Sequence, residues 1–126
     1  MLSTRVVLAD DHRLMLDALK KLLEPEFNVV GEFCDGLELV RGAPQLNPDV
    51  IVLDIGMPTM NGLTAGQRLK QSMPSIKLIY LTMTQDPDLV AESFRLGANG
   101  YLLKSSAGSE LISAIRSVVR GGSYIT

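Results

Sequence analysis

Apolar residues along this chain follow two periods. Short unbroken runs, Val6–Ala9 and Val50–Leu53, are bounded by charged residues, glycine or proline. Four apolar residues between such breakers predict a strand buried on both faces. Between these runs the apolar positions recur every three or four residues, the spacing of a helix with one buried face. In chain order the pattern predicts a strand over 5–11 that ends on Asp10-Asp11, then a helix over 13–24. Met15, Ala18, Leu19 and Leu22 share the face of that helix, with Leu16 and Leu23 beside it, and Pro25 closes it. A second strand over 28–34 turns at Asp35-Gly36, and a weaker helix over 37–45 is expected to break near Gly42 and Pro44. The strand over 49–53 runs into Asp54 and is stopped by Gly56 and Pro58. A helix over 62–73 follows, weakened by Gly66 and ended by Pro74, and then a strand over 76–82. Asp86-Pro87 reads as a helix start, an acidic N-cap followed by proline at the first position, with Gly97 as the stop. A short strand over 100–104 leads to a last helix, capped by Ser106, with Leu111, Ile115, Val118 and Val119 as its buried stripe and Gly121-Gly122 as its end.

Strand and helix thus alternate five times. That pattern predicts an α/β fold, an open parallel sheet with helices on both faces and right-handed crossovers. At this size the common strand order is 2-1-3-4-5, which reverses direction between strands one and three. Ligands in such sheets bind outside the carboxyl ends of the strands, at that reversal. The polar residues at those ends are Asp10, Asp11, Asp54, Thr82 and Lys104. The fold would gather residues that lie 22 to 44 positions apart, between one strand end and the next.

Composition narrows the classes. The chain has 126 residues, enough for one domain and one core, and a formal net charge of -2. That balance argues against a standalone nucleic-acid binder, which would carry a basic face. Cys34 is the only cysteine, so no disulfide framework or cysteine zinc site is expected, and a small buried residue is the plain reading of it. No apolar run approaches the ~20 residues of a membrane helix. Met1-Leu-Ser-Thr-Arg5 lacks the apolar segment of a signal peptide, so a cytoplasmic location is expected.

Three carboxylates in one cleft repel: two unit charges 4 Å apart cost about 4 kcal/mol at an effective dielectric of 20. Such a site raises a pKa or binds a cation. All its ligands would be hard oxygens, including a backbone carbonyl after Asp54, that of Gly56, which suits Mg²⁺ or Mn²⁺ rather than zinc. A lysine and a hydroxyl facing that cation suggest an anion between them, with phosphate the first candidate. Asp54 would then be a nucleophile that forms an aspartyl phosphate, Lys104 and the metal would neutralise its oxygens, and Thr82 would hydrogen-bond one of them.

The pieces Val-Leu-Ala-Asp10-Asp11-His12, Leu-Asp54-Ile-Gly-Met57-Pro58 with Asn61-Gly62, Leu-Thr82 and Gly-Tyr101-Leu-Leu-Lys104 together resemble the receiver domain of bacterial two-component response regulators. The resemblance covers the whole chain. It implies a flavodoxin-like (βα)5 three-layer sandwich. It also implies phosphorylation of Asp54 by a phosphohistidine on a sensor histidine kinase, direct binding of Mg²⁺ by Asp11, and binding through water by Asp10. Lys104 would contact the phosphoryl group, and Thr82 and Tyr101 would act as switch residues altering the face built from the fourth helix, fifth strand and fifth helix. The domain would assist its own phosphorylation and slow autodephosphorylation rather than act as an enzyme on outside substrates. The opening Leu-Ala-Asp-Asp-His and the ending Arg-Gly-Gly-Ser-Tyr-Ile resemble the NarL/LuxR-type subgroup, which implies a C-terminal helix-turn-helix domain, control of transcription and a homodimer on phosphorylation. On that reading residues 1–122 are the receiver and 123–126 begin a linker. Met83, after Thr82, is bulkier than the residue frequent there and is expected to narrow access to the phosphoryl group. With Thr84 and Gly56 offering no base to an attacking water, the phosphoryl lifetime is expected not to be unusually short. Ser105 stands where many receivers have proline, so a cis peptide there is not implied.

Each residue also has a plainer reading. Asp10-Asp11 can cap the first helix, Asp54 can shape a turn, Lys104 can be a solvated lysine and Thr82 a β-former. His12 reads as the start of a helix, because one histidine does not make a metal site, and Tyr101 can be ordinary packing. Rival functions are weaker. A flavin-binding relative needs a Ser/Thr/Gly-rich phosphate loop where this chain has Asp10-Asp11, and an aspartyl-phosphate phosphatase carries Asp-x-Asp on its first strand. A phosphorylation-independent interaction module does not need the full set of acids, threonine and lysine. Neither nucleotide-binding glycine motif is present.

Overall fold

The computed structural model describes residues 3–126; Met1 and Leu2, part of the N-terminal segment read above, lie outside it. The chain runs β1 (Arg5–Ala9), α1 (Arg13–Leu23), β2 (Asn28–Phe33), α2 (Gly36–Leu46), β3 (Val50–Asp54), α3 (Gly62–Ser72), β4 (Lys77–Thr82), α4 (Pro87–Arg95), β5 (Gly100–Leu103), α5 (Ala107–Val119) and β6 (Tyr124–Ile125). All strands pair in parallel, in the order β2-β1-β3-β4-β5-β6. The expected 2-1-3-4-5 order holds, and β6 adds a sixth strand at the edge.

Side chains alternate across the sheet and build a core on each face. Val6, Leu8, Val50, Val52, Ile79 and Leu81 pack with Leu16, Leu19 and Leu23 of α1 and Leu111, Ile115 and Val118 of α5. Val7, Ile51, Leu53, Leu78, Tyr80 and Tyr101 pack with α2 and α3 through Leu39, Ala43, Ala65 and Leu69. Helix α4 is the most lightly anchored: among its residues only Ser93 is fully buried, with Leu89, Val90 and Phe94 half-buried against the core.

Several expectations are corrected. Ala18 is exposed, because the buried stripe of α1 is Leu16, Leu19 and Leu23, flanked by Met15 and Leu22. Val119 is exposed although the preceding Val118 is fully buried, because it is not on the buried stripe of α5 that Leu111, Ile115 and Val118 form. Helix α2 does not break at Gly42 or Pro44. Gly42 is where Phe33 packs, since a Cβ there would come within 2.5 Å of the Phe33 ring. Pro44 sits in the last turn, which is closed by left-handed Asn47 donating to the Pro44 carbonyl and by the Arg5 guanidinium on the Leu46 and Asn47 carbonyls. Ser106 does not cap α5 with its side chain. The chain enters α5 through a 3-10 turn, Lys104–Ser106, so Ser106 already has helical backbone angles and its hydroxyl cannot reach back across the first turn. Asp86 does cap α4, accepting from the Asp88 amide, while Asp35 and Asn61 cap α2 and α3 in the same way. Among the described residues the peptide bonds are all trans, including that between Lys104 and Ser105.

Residues 124–126, read above as the start of a linker, pair along β5. The Thr126 amide donates to the Tyr101 carbonyl, its hydroxyl accepts from the Leu103 amide, and its carbonyl accepts from the Gln85 side chain. The Tyr124 hydroxyl donates to Glu110 on α5.

Candidate functional site

The carboxyl ends of β1, β3, β4 and β5 converge at one edge of the sheet, where the order reverses between β1 and β3. Asp10 follows β1 and is fully buried; its amide donates to the Phe33 carbonyl of β2 and its Oδ1 accepts from the His12 amide. Asp54 ends β3 and is 5% exposed, with Oδ1 accepting from the Gly56 amide. Gly62 brings the β3–α3 loop close under this residue: its amide donates to the Ile55 carbonyl, and a Cβ there would lie 2.3 Å from the Asp54 carbonyl oxygen. Thr59 in that loop has a φ of 62°, a left-handed turn position.

Lys104 reaches across from the end of β5. Its Nζ lies 2.9 Å from Asp10 Oδ2 and 3.1 Å from Asp54 Oδ2. The contact to Asp10 is an ion pair without hydrogen-bond alignment, so Oδ2 is buried and lacks a well-directed donor. Burial works against the ammonium, but the two carboxylates more than offset it and hold the Lys104 pKa above its ordinary value. Asp11 is the exposed acid of the set. Three acids and one lysine leave a formal charge of -2.

Asp10, Asp11, His12 and Asp54 each offer one ligand atom, and these atoms lie within 4.8 Å of one another. The donors are hard carboxylates around one imidazole, and the buried Asp10 Oδ2 lacks a directed proton. Both observations fit a divalent cation. His12 is the residue that the sequence reading dismissed. Its Nδ1 sits 3.2 Å from Asp10 Oδ1 and 3.3 Å from Asp11 Oδ1. Its place directly after the acid pair was the only available signal.

Thr82 and Tyr101 flank the cluster rather than join it. The Thr82 hydroxyl is shared with the backbone of Thr84, at 3.2 Å to the carbonyl and 3.4 Å from the amide. The Tyr101 ring is buried, and burial pushes its hydroxyl pKa up, opposed by the neighbouring Thr82 hydroxyl and assisted by Asp86. The Tyr101 hydroxyl, beside that of Thr82, has no well-formed hydrogen-bond partner. Met83 stands 77% exposed.

The family model for the response regulator receiver domain matches residues 6–116. The chain belongs to this family. Among curated relatives, the transcriptional regulatory protein DegU of Brevibacillus brevis is 41% identical over 123 residues, a match covering 96% of this chain and 52% of DegU. Receiver domains from solved structures superpose closely. The isolated domain of RcsB from Salmonella enterica serovar Typhimurium, determined with the phosphomimetic BeF3-, gives a TM-score of 0.90 at 32% identity, covering 98% of this chain and 93% of that one. The signal receiver domain of the putative response regulator NarL from Mycobacterium tuberculosis gives 0.88 at 30% identity, covering 94% and 97%. These relatives place the chain among NarL/LuxR-type response regulators. The chain spans about half the length of the DegU relative. Receiver domains are regulatory modules, and no helix among the described residues is long and apolar enough to cross a membrane.

Proposed function

We propose that this receiver accepts a phosphoryl group on Asp54 from a phosphohistidine of a sensor histidine kinase, and passes the change to an attached DNA-binding domain that controls transcription. The observation that carries the reading is the bridge from Lys104 to both Asp10 and Asp54, two buried carboxylates. A carboxylate oxygen of Asp54 attacks phosphorus while the bond from phosphorus to the donor imidazole breaks. The imidazole leaves with the bonding pair and takes a proton. Lys104 is placed to follow the negative charge from the carboxylate onto the phosphoryl oxygens, because its pKa keeps it cationic. Asp10, Asp11 and Asp54, with the backbone of Gly56, are the residues that would hold Mg²⁺ or Mn²⁺. That cation, when bound, neutralises the phosphoryl oxygens as they gain charge.

Thr82 exchanges its Thr84 partner for a phosphoryl oxygen, which releases the β4–α4 loop to rearrange. Tyr101 lies alongside, and its unpartnered hydroxyl is the group that such a rearrangement can satisfy. Gln85 in the same loop holds the Thr126 carbonyl, so the change reaches the end of the chain described here. The lightly anchored α4 is the helix that can shift at low cost. The DNA-binding domain, a homodimer formed on phosphorylation and a cytoplasmic location complete the proposal. They rest on the NarL/LuxR-type relatives, and residues 1–122 remain the proposed receiver unit.

The test is direct. The domain is incubated with a divalent cation and a small phosphodonor, then weighed intact beside Asp54→Asn. The expected result is one phosphoryl adduct on the parent protein and none on the variant. An adduct on both, or on neither, overturns the assignment.

A further inference from the structure

We propose that His12 is a nitrogen ligand of the cation site, and that it gives this receiver a preference for a first-row divalent transition ion over Mg²⁺. The inference rests on the reading of Asp10 and Asp11 as cation ligands and adds a residue to it. His12 is the last extended residue before α1, with φ -95° and ψ 108°. A residue there normally turns its side chain onto the first amides of the helix. The His12 side chain makes no such cap. Its ring turns back over the acids, with Nδ1 3.2 Å from Asp10 Oδ1 and 3.3 Å from Asp11 Oδ1.

The plain alternative is that the ring simply hydrogen-bonds Asp10 Oδ1 through Nδ1 and pairs with the two carboxylates at the surface. With His12 71% exposed, that contact contributes little to stability. Asp10 Oδ1 already receives the His12 amide at 2.9 Å, and Asp10 Oδ2 faces Lys104 at 2.9 Å, so the ring is not needed to neutralise Asp10. The spacing also suits coordination. Ligand bonds of about 2.1 Å set neighbouring donor atoms on the order of 3.0 Å apart and opposite ones on the order of 4.2 Å in an octahedron. Both Nδ1 contacts are close to the shorter value, and the whole donor set stays within 4.8 Å. The formal charge of -2 left by Asp10, Asp11 and Asp54 against Lys104 is a separate sign that the pocket takes a further positive charge.

In the neutral tautomer with its proton on Nε2, the ring presents the Nδ1 lone pair to the site and Nε2 to water. Imidazole nitrogen suits Ni²⁺, Fe²⁺ and Zn²⁺ far better than Mg²⁺, which keeps oxygen ligands and gives up water reluctantly. An all-oxygen site would rank these ions only by their ordinary affinity order. A site with His12 widens the gap.

Two measurements on the receiver and its His12→Ala variant test this. In Mn²⁺-loaded protein, electron spin-echo modulation should show a directly bound imidazole nitrogen that disappears in the variant. In titrations, Ni²⁺ affinity should fall at least about tenfold in the variant, the scale on which losing a well-placed group near a metal is felt, while Mg²⁺ affinity changes by less than about twofold. Because His12 is exposed, the variant should melt like the parent. Absence of nitrogen coupling in the parent, or equal losses for Ni²⁺ and Mg²⁺, overturns the proposal while leaving the cation site intact. Asp11→Asn supplies the other arm: if Mn²⁺ binds it as tightly as the parent, the cation site itself is misassigned, and His12 falls with it.

Discussion

Replacing Lys104 by methionine keeps most of the side-chain volume and removes the cation that faces both Asp10 and Asp54. Each of those contacts, near 3 Å, corresponds to ~5–6 kcal/mol of Coulomb attraction at an effective dielectric of 20. Most of that offsets the desolvation of the three groups. Removing one partner of a buried pair costs about 3–5 kcal/mol, because the charge left behind has no counter-ion. The cleft opens to solvent beside exposed Asp11, so the low end applies. In buffer without divalent cations, Lys104→Met should therefore lose about 3 kcal/mol. With an unfolding entropy of about 2.1 cal/mol/K per residue, that lowers Tm by about 11 °C. Saturating Mg²⁺ should narrow the gap, since the cation and the lysine compensate the same carboxylates. Adding Asp54→Asn to the variant should recover part of the loss by leaving one fewer bare charge. Thermal and urea unfolding with and without Mg²⁺ read all three effects. A Lys104→Met protein as stable as its parent in the absence of divalent cations would refute the account of the pocket as a charge-compensated site.

Other outcomes follow from single contacts. The pKa values of Lys104 and Tyr80 are both raised in the folded state above their ordinary 10.5 and 10.0. Their stabilisation is thus fully present below about pH 10 and is lost as pH rises through the folded values, so an unfolding series should fall away on the alkaline side, less steeply in Tyr80→Phe. Gly66→Ala would place a methyl 1.9 Å from the Tyr80 hydroxyl oxygen and should cost about 1–3 kcal/mol, part of which Tyr80→Phe restores in a double-mutant cycle. Gly62→Ala would press on the Asp54 carbonyl and should lower both Tm and the rate of phosphoryl uptake from a small donor. The phosphorylated domain should keep its adduct for longer than seconds in a time course by intact mass; a half-life of seconds or less would contradict the expectation drawn from Thr84 and Gly56, neither of which offers a base to an attacking water.

The sequence by itself determined the sequence of elements, the parallel sheet and the set of strand-end residues. Buried parallel strands read as continuous apolar runs, and residues at their carboxyl ends must meet wherever the strand order reverses. Asp10, Asp11, Asp54 and Lys104 were therefore legible without coordinates. Tertiary packing decided the rest. Gly42 and Pro44 looked like breaks because propensity is local, whereas the Phe33 ring and the Arg5 guanidinium that support α2 come from β2 and β1. The edge strand β6 has two residues and no periodicity, and it exists because β5 offers it unpaired backbone groups. The direction of a side chain is equally invisible in one dimension. The His12 ring turns toward Asp10 and Asp11, and the Thr82 hydroxyl turns toward Thr84, because of the loops that surround them. Residue type named the members of the site; only the three-dimensional neighbours determined which of them face one another.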